Sequence, residues 1–117
     1  MTEQKANPWD PLCPSSRLIA LLASKWVLLV IPLLRQSPKR NSELLREMPG
    51  VSQKMLTQTL RELERNRLVA RHDFAEVPPR VEYVLTPLGR SLATAVMALN
   101  NWVIRNYYNV AGRTKKA

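Results

Sequence analysis

Five side chains on one short stretch, Lys54, Thr57, Gln58, Arg61 and Arg65, carry the clearest chemistry in this sequence. At 100° per residue they fall within about a third of a helical circumference, and none is acidic. Opposite them Leu56, Leu60 and Leu63 recur at spacings of four and three, which predicts a buried side, while Glu62 and Glu64 fall on the flanks. A solvated helix face ordinarily mixes signs. This one offers donors suited to phosphate oxygens and to the edges of guanine and adenine.

Other reactive groups are few. The single cysteine, Cys13, is followed at once by Pro14 and, one turn on, by Arg17. Unpaired amides at a helix start and a nearby cation both favour the thiolate, the form that oxidants and electrophiles attack. The alternative is a small buried hydrophobe, as most free cysteines are. With no second cysteine to resolve it, oxidation would join two subunits or cap the sulfur with a small thiol. One histidine, one cysteine and nine scattered acids, with no serine elbow, glycine-rich phosphate loop or metal-ligand cluster, argue against an enzyme and call for neither a metal nor a cofactor. His72 reads as a strand residue or a contact to a nucleic-acid backbone.

These groups need elements to hold them. Pro14 suits the first position of a helix, which the pattern carries to about Ala23. Ser24 is a cap for a second helix, Lys25 to Arg35, apolar at nearly every position and so buried on most sides, with Pro32 set to kink or shorten it. Ser37 to Asn41 reads as a loop, and Ser42 as the cap of a short helix to about Met48 that Pro49-Gly50 stops. Ser52 caps the donor-bearing helix, which runs without a breaker to Asn66. Leu68 to His72 and Val81 to Leu85 read as two strands, the second alternating Val81, Tyr83 and Leu85 against Glu82 and Val84. Between them Pro78-Pro79 cannot join a central ladder, which predicts a stiff hairpin tip with Arg80 at its base.

Thr86-Pro87 opens the last helix, whose stripe of Leu88, Leu92, Val96, Leu99, Val103 and Tyr107 spans about five turns. A monomer of 117 residues has difficulty covering so long a ridge, which Met97 and Trp102 broaden further. Leu92, Val96, Leu99, Trp102 and Val103 are therefore expected at a subunit interface. Trp26, Tyr83 and Trp102 fall on apolar faces and are expected in the core. The fold class expected is mainly α with a small β-hairpin wing, the layout of a winged helix-turn-helix. It forms a single domain over 1–117, with a polar lead-in at 1–12 and a basic flexible tail at 109–117.

Composition agrees. Apolar residues at 45% and charged residues at 23% are ordinary globular usage, but 18 Lys and Arg against 9 Asp and Glu leave a net charge of +9. That excess wants an anionic partner. One cysteine is what a reducing cytoplasm permits, and MTEQKANPWD lacks a basic-then-apolar signal layout, so a cytoplasmic location is expected. The longest apolar stretch, Leu18 to Leu34, contains Lys25, which would cost ~2.5 to 3.5 kcal/mol at a bilayer centre. It reads as core, and no membrane is implied.

SKW at 24–26, SELLREMPGVSQKMLTQTLRELE at 42–64 and VPPRVEYVLTPLGRSL at 77–92 together resemble the HxlR-type bacterial transcription regulators, relatives of the MarR type. The likeness covers about Leu12 to Trp102. It implies a cytoplasmic homodimer, dimerising through its terminal helices, whose helix at 52–66 enters the major groove and whose wings lie along the flanking backbone. By the same resemblance Ser52, Gln53, Lys54, Thr57, Gln58 and Arg61 face the groove, Arg80 is the wing arginine, and Cys13-Pro14 matches the Cys-Pro of members that sense oxidants or electrophiles. Three departures stand out: Ala23-Ser24 for two glycines, Asn41 for a phenylalanine, and Arg67 for the glycine after the recognition helix. In the last case Asn66 is the next-best left-handed cap, so the helix is expected to end one residue early.

The function expected is a dimeric, sequence-specific regulator of transcription that binds double-stranded DNA at a near-palindromic operator. A redox or electrophile response through Cys13 is compatible with it, as is a small-molecule or oxidant effector. The alternative is an architectural or protein-interaction winged helix, whose recognition helix would carry apolar or mixed-sign residues. RNA binding lacks the exposed aromatic strand residues that stack bases.

Overall fold

A computed structural model describes residues 5–112. The apolar run divides at Ala23-Ser24 into α1 (Pro14–Leu22) and α2 (Lys25–Gln36), bent by 69° from one another. The division is chemical, since Ser24 Oγ accepts from the Val27 amide at 3.3 Å and opens the second helix. No single described helix is long and apolar enough to cross a membrane. Pro32 does not shorten α2, which runs on to Gln36. Burial of Val30, Ile31 and Leu34 around it, worth ~1.5 to 3 kcal/mol each, outweighs the one backbone bond that proline removes.

The helix-turn-helix follows. Helix α3 (Asn41–Glu47) begins one residue before the expected cap. Ser42 lies inside its first turn, and the start is fixed instead by Glu43 Oε1, which accepts from the Arg40 amide at 2.9 Å. Asn41, the polar departure, is half-exposed and so escapes the cost of full burial. Pro49 and Gly50, the latter at φ +86°, make the tight turn in which the Val51 amide donates to the Met48 carbonyl at 3.1 Å. Ser52 Oγ then accepts from the Met55 amide at 3.0 Å and caps α4 (Gln53–Arg65) as expected. Leu56, Leu60 and Leu63 are buried, joined by Thr59.

At the end of α4 the Arg67 amide donates to the Glu64 carbonyl at 3.0 Å and the Leu68 amide to the Leu63 carbonyl at 2.9 Å. This is a Schellman closure, which needs its left-handed residue two places after the last helical one. That residue is Arg67, at φ 61°, and not Asn66. Asn66 keeps a right-handed backbone, and its Nδ2 donates to the Glu62 carbonyl at 2.7 Å.

Strands β1 (Val69–Asp73) and β2 (Val81–Leu85) pair antiparallel, with Val69 opposite Leu85 and Asp73 opposite Val81. The expected alternation of β2 is weak: Val81 to Val84 are all half-buried and only Leu85 is buried, because a projecting hairpin leaves both faces partly wet. On the outer edge of β2 the Lys39 amide donates to the Tyr83 carbonyl at 3.0 Å and the Tyr83 amide to the Lys39 carbonyl at 2.8 Å. Lys39 is nearly buried, and its Nζ lies 3.2 Å from Glu47 Oε2. The loop before α3 is thereby tied to the wing.

Thr86 Oγ1 accepts from the Gly89 amide at 3.0 Å and opens α5 (Pro87–Asn106), which continues as a 3-10 helix over Tyr107–Gly112. Of the tail expected at 109–117, residues 109–112 are thus helical and 113–117 lie outside the described residues. Helix α5 packs on α2. Val96, 4% exposed, is thereby buried within its own chain, contrary to expectation, while Leu92 is only partly buried against the core. Leu99 at 47%, Trp102 at 51% and Val103 at 45% stay exposed, so Trp102 is not a core residue, whereas Trp26 and Tyr83 do pack against the core.

The first turn of α5 is pressed against the end of α4. A Cβ on Gly89 would overlap the Leu68 carbonyl oxygen, and Thr86 Oγ1 donates to the Arg67 carbonyl at 2.7 Å. Two substitutions at this joint should act oppositely in denaturant unfolding. Arg67→Gly should raise stability by ~1 kcal/mol by relieving the left-handed side-chain penalty. Gly89→Ala should lower it by ~1 to 3 kcal/mol, the cost of overpacking. An Arg67→Gly protein no more stable than the parent would contradict the closure described.

Candidate nucleic-acid interface

The exposed side of α4 forms a shallow groove lined by Lys54, Thr57, Gln58, Arg61, Glu62 and Arg65. All five donors that the helical spacing grouped are in it, and Glu62, placed on the flank by spacing alone, enters the face as well. The donors differ in freedom. Arg65 Nη1 is paired to Glu62 Oε1 at 2.9 Å, but its side chain is 71% exposed, so the pair is weak and open to exchange. Gln53 Nε2 donates to Thr57 Oγ1 at 2.9 Å, one turn away. Ser52 is engaged as the helix cap. Among the described residues Lys54, Gln58 and Arg61 are exposed and have no side-chain partner, which leaves three unpaired donor groups along the centre of the face. Such a row, held on a rigid helix, fits the width of a DNA major groove.

The wing is arranged differently. Arg80 does not extend toward solvent. Its Nη1 lies 3.5 Å from Glu76 Oε1, its Nη2 3.5 Å from Glu82 Oε2, and its guanidinium sits 4.1 Å from the centre of the Phe74 ring. His72 is exposed on β1, opposite Glu82. Arg40, Ser42 and Arg46 line a second depression with Glu43 and Glu82, which adds exposed cations near the hairpin base that spacing on α4 did not reveal.

Cys13 lies at the N-cap of α1, partly exposed. Its Sγ is 3.1 Å from Ser15 Oγ and accepts from the Asn7 amide at 3.4 Å. The Ser15 hydroxyl, with help from the amides of Asn7 and Ser15, holds the thiol below its ordinary value, against partial desolvation and the nearby Asp10 carboxylate. The expected direction stands, but its source is the Ser15 hydroxyl and two amides and not the Arg17 cation. The N-terminal end of α1 is also close to the recognition helix: Pro14, Arg17, Leu18 and Leu21 share a groove with Glu62, Arg65 and Asn66.

Helix α3, the Met48–Val51 turn, α4 and the hairpin make a winged helix-turn-helix, and the family described as HxlR-like helix-turn-helix matches residues 21–110. The chain belongs to that family. Among its HxlR-like relatives is the HTH-type transcriptional regulator YtfH of Escherichia coli (strain K12), 39% identical over 103 residues that span 88% of this chain and 82% of the relative. The solved structure of the transcriptional regulator ytfH from Salmonella typhimurium is similar at a TM-score of 0.86 and 39% identity, covering 92% of this chain and 96% of that one. The redox regulator HypR in its reduced form is similar at a TM-score of 0.74 and 35% identity, over 80% of this chain and 93% of that one. This HxlR-like protein is a transcriptional regulator of winged helix-turn-helix fold.

The environment of Cys13 predicts a pH profile. A lowered thiol value populates the thiolate, and so speeds alkylation, at lower pH than in the unfolded chain. Iodoacetamide labelling should therefore show its midpoint at lower pH in the native protein than in urea, and Ser15→Ala should move the native midpoint upward. A native midpoint at or above that of the urea-unfolded chain would make Cys13 an ordinary packed thiol.

Proposed function

We propose that the protein is a homodimer that binds a near-palindromic operator in double-stranded DNA with α4 in each of two successive major grooves. The observation that carries this reading is the row of unpaired donors, Lys54, Gln58 and Arg61, along the exposed groove of α4 in a chain of net charge +9. In it Gln58 and Arg61 read base edges, with Gln53 and Thr57 able to exchange their mutual bond for contacts to the DNA. Lys54 and Arg65 meet phosphate, and Ser52 fixes the helix start. Phosphate contacts set register and base contacts set specificity.

Dimerisation is supported by the apolar residues left in water on the last helix, Leu99, Trp102, Val103 and Ile104, which a monomer has no means to cover. A two-fold dimer places the recognition helices roughly 34 to 36 Å apart. We further infer that Cys13 makes the regulator responsive to oxidants or electrophiles in a reducing cytoplasm, a reading that rests on its hydrogen-bonded, partly exposed thiol and on the likeness to the redox regulator HypR. No cofactor or metal enters the mechanism.

Enrichment of random duplexes by the purified protein tests the DNA-binding reading. Inverted repeats among the winners are expected, whereas no enrichment over bulk DNA would leave an architectural or protein-interaction role. On the enriched duplex Gln58→Ala or Arg61→Ala should cost ~1 to 3 kcal/mol and relax base choice. Arg65→Ala should weaken all duplexes alike and reduce the salt slope by about one. Sedimentation should show a dimer at micromolar concentration, and Leu99→Asp or Val103→Asp should dissociate it and reduce DNA binding steeply. A wild-type monomer at that concentration would defeat the two-fold arrangement.

A further inference from the structure

The resemblance assigns Arg80 to DNA, yet its guanidinium already has partners within the wing. The side chain is only 35% exposed, two carboxylates flank the guanidinium at 3.5 Å each, and the Phe74 ring lies against it at 4.1 Å. Its Nε is shut away from solvent with no hydrogen-bond partner among the described residues, so the inner edge of the fork is closed to a ligand. The three contacts come from three parts of the wing. Phe74 follows β1, Glu76 lies in the tip, and Glu82 is on β2. The Arg80 backbone adds a fourth tie, because its carbonyl accepts from the Phe74 amide at 3.0 Å.

We propose that Arg80 is a positioning residue of the wing, clamping the hairpin tip through Glu76, Glu82 and Phe74, and that it is not a phosphate contact. The charge count at the site supports this. Arg80 already has two carboxylate partners, so a phosphate would have to compete with both of them for its guanidinium. A planar guanidinium suits the task, since it can fork to two carboxylates while stacking on a ring, which an ammonium cannot do. Free, the tip would be a loop with no ladder bonds of its own beyond the Phe74 amide. Clamped, it is presented to the DNA in one course.

The inference rests on the DNA-binding reading for its function but not for its structure, and the experiment separates the two. Wild type, Arg80→Lys, Arg80→Ala and the double variant Glu76→Gln/Glu82→Gln are compared on the enriched duplex at several salt concentrations. Amide hydrogen exchange over residues 73–82 is followed without DNA. If Arg80 is a clamp, the double variant binds about threefold to tenfold more weakly despite its two added units of positive charge, the scale of two part-exposed ion pairs. Arg80→Lys is then as impaired as Arg80→Ala, both keep the wild-type salt slope, and the Phe74 amide exchanges faster in all three. If Arg80 meets phosphate, freeing it from its carboxylates tightens binding, Arg80→Lys retains most of the affinity, and Arg80→Ala lowers the salt slope by about one. Any of these three results overturns the proposal. If no duplex is enriched, the DNA reading fails and the exchange arm alone decides: faster exchange at Phe74 in the variants supports the clamp, and unchanged exchange overturns it.

Discussion

The carbonyl of Leu68 is where the main parts of the molecule are joined. It accepts from the Thr86 amide at 3.1 Å and lies against Gly89, at the last residue of the backbone closure that ends α4 and one before β1 begins. Recognition helix, wing and terminal helix therefore leave a single small volume. Its rigidity comes from packing backbone on backbone, which only a residue without a side chain at 89 allows. At this point the first turn of α5 and the segment that leaves α4 are in direct contact.

The electrostatics divide the same way. Most of the acids near the proposed interface are already matched: Glu62 by Arg65, Glu47 by Lys39, Glu76 and Glu82 by Arg80. Exposed pairs of this kind add little to stability. Their effect is to place these carboxylates beside cations of the same chain, with Arg65 still exposed and able to exchange its partner. Arg61 and Lys54 gain prominence because their neighbours are neutralised.

Much of the fold was legible because its signals are local. The caps Ser24, Ser52 and Thr86 each satisfy the amide three residues ahead, and the leucines of α4 need only the helical period to find their side. What was not legible depends on contacts that neither residue type nor spacing announces, some of them local and some between residues distant in the chain. Arg40 replaces Ser42 as the start of α3 because Glu43 reaches back to its amide and Lys39 is tied to β2. Arg67, not Asn66, is left-handed because the closure onto Leu63 and Glu64 fixes which residue must turn, whatever its preference. Leu92 and Val96 belong to an apolar stripe that spacing reads as one ridge, and only the packing of α5 on α2 divides it into a buried half and an exposed half. Arg80 is the site-level case. Its residue type suits phosphate, but Phe74 and Glu76 come around to it only once the hairpin has formed.

The Lys39–Tyr83 pairing has a consequence for how the protein behaves when concentrated. A two-stranded hairpin exposes two edges, and an open edge is a template on which strands of other copies can stack into aggregates. Here the middle of one edge is already occupied from within the chain, by a segment whose nearly buried lysine anchors it to Glu47. The other edge, along β1, carries Arg71, His72 and Asp73 with their side chains in water. Charge on one side and a self-supplied partner on the other protect the wing from its own copies, so a projecting β-element is kept in a helical protein without becoming a seed for precipitation.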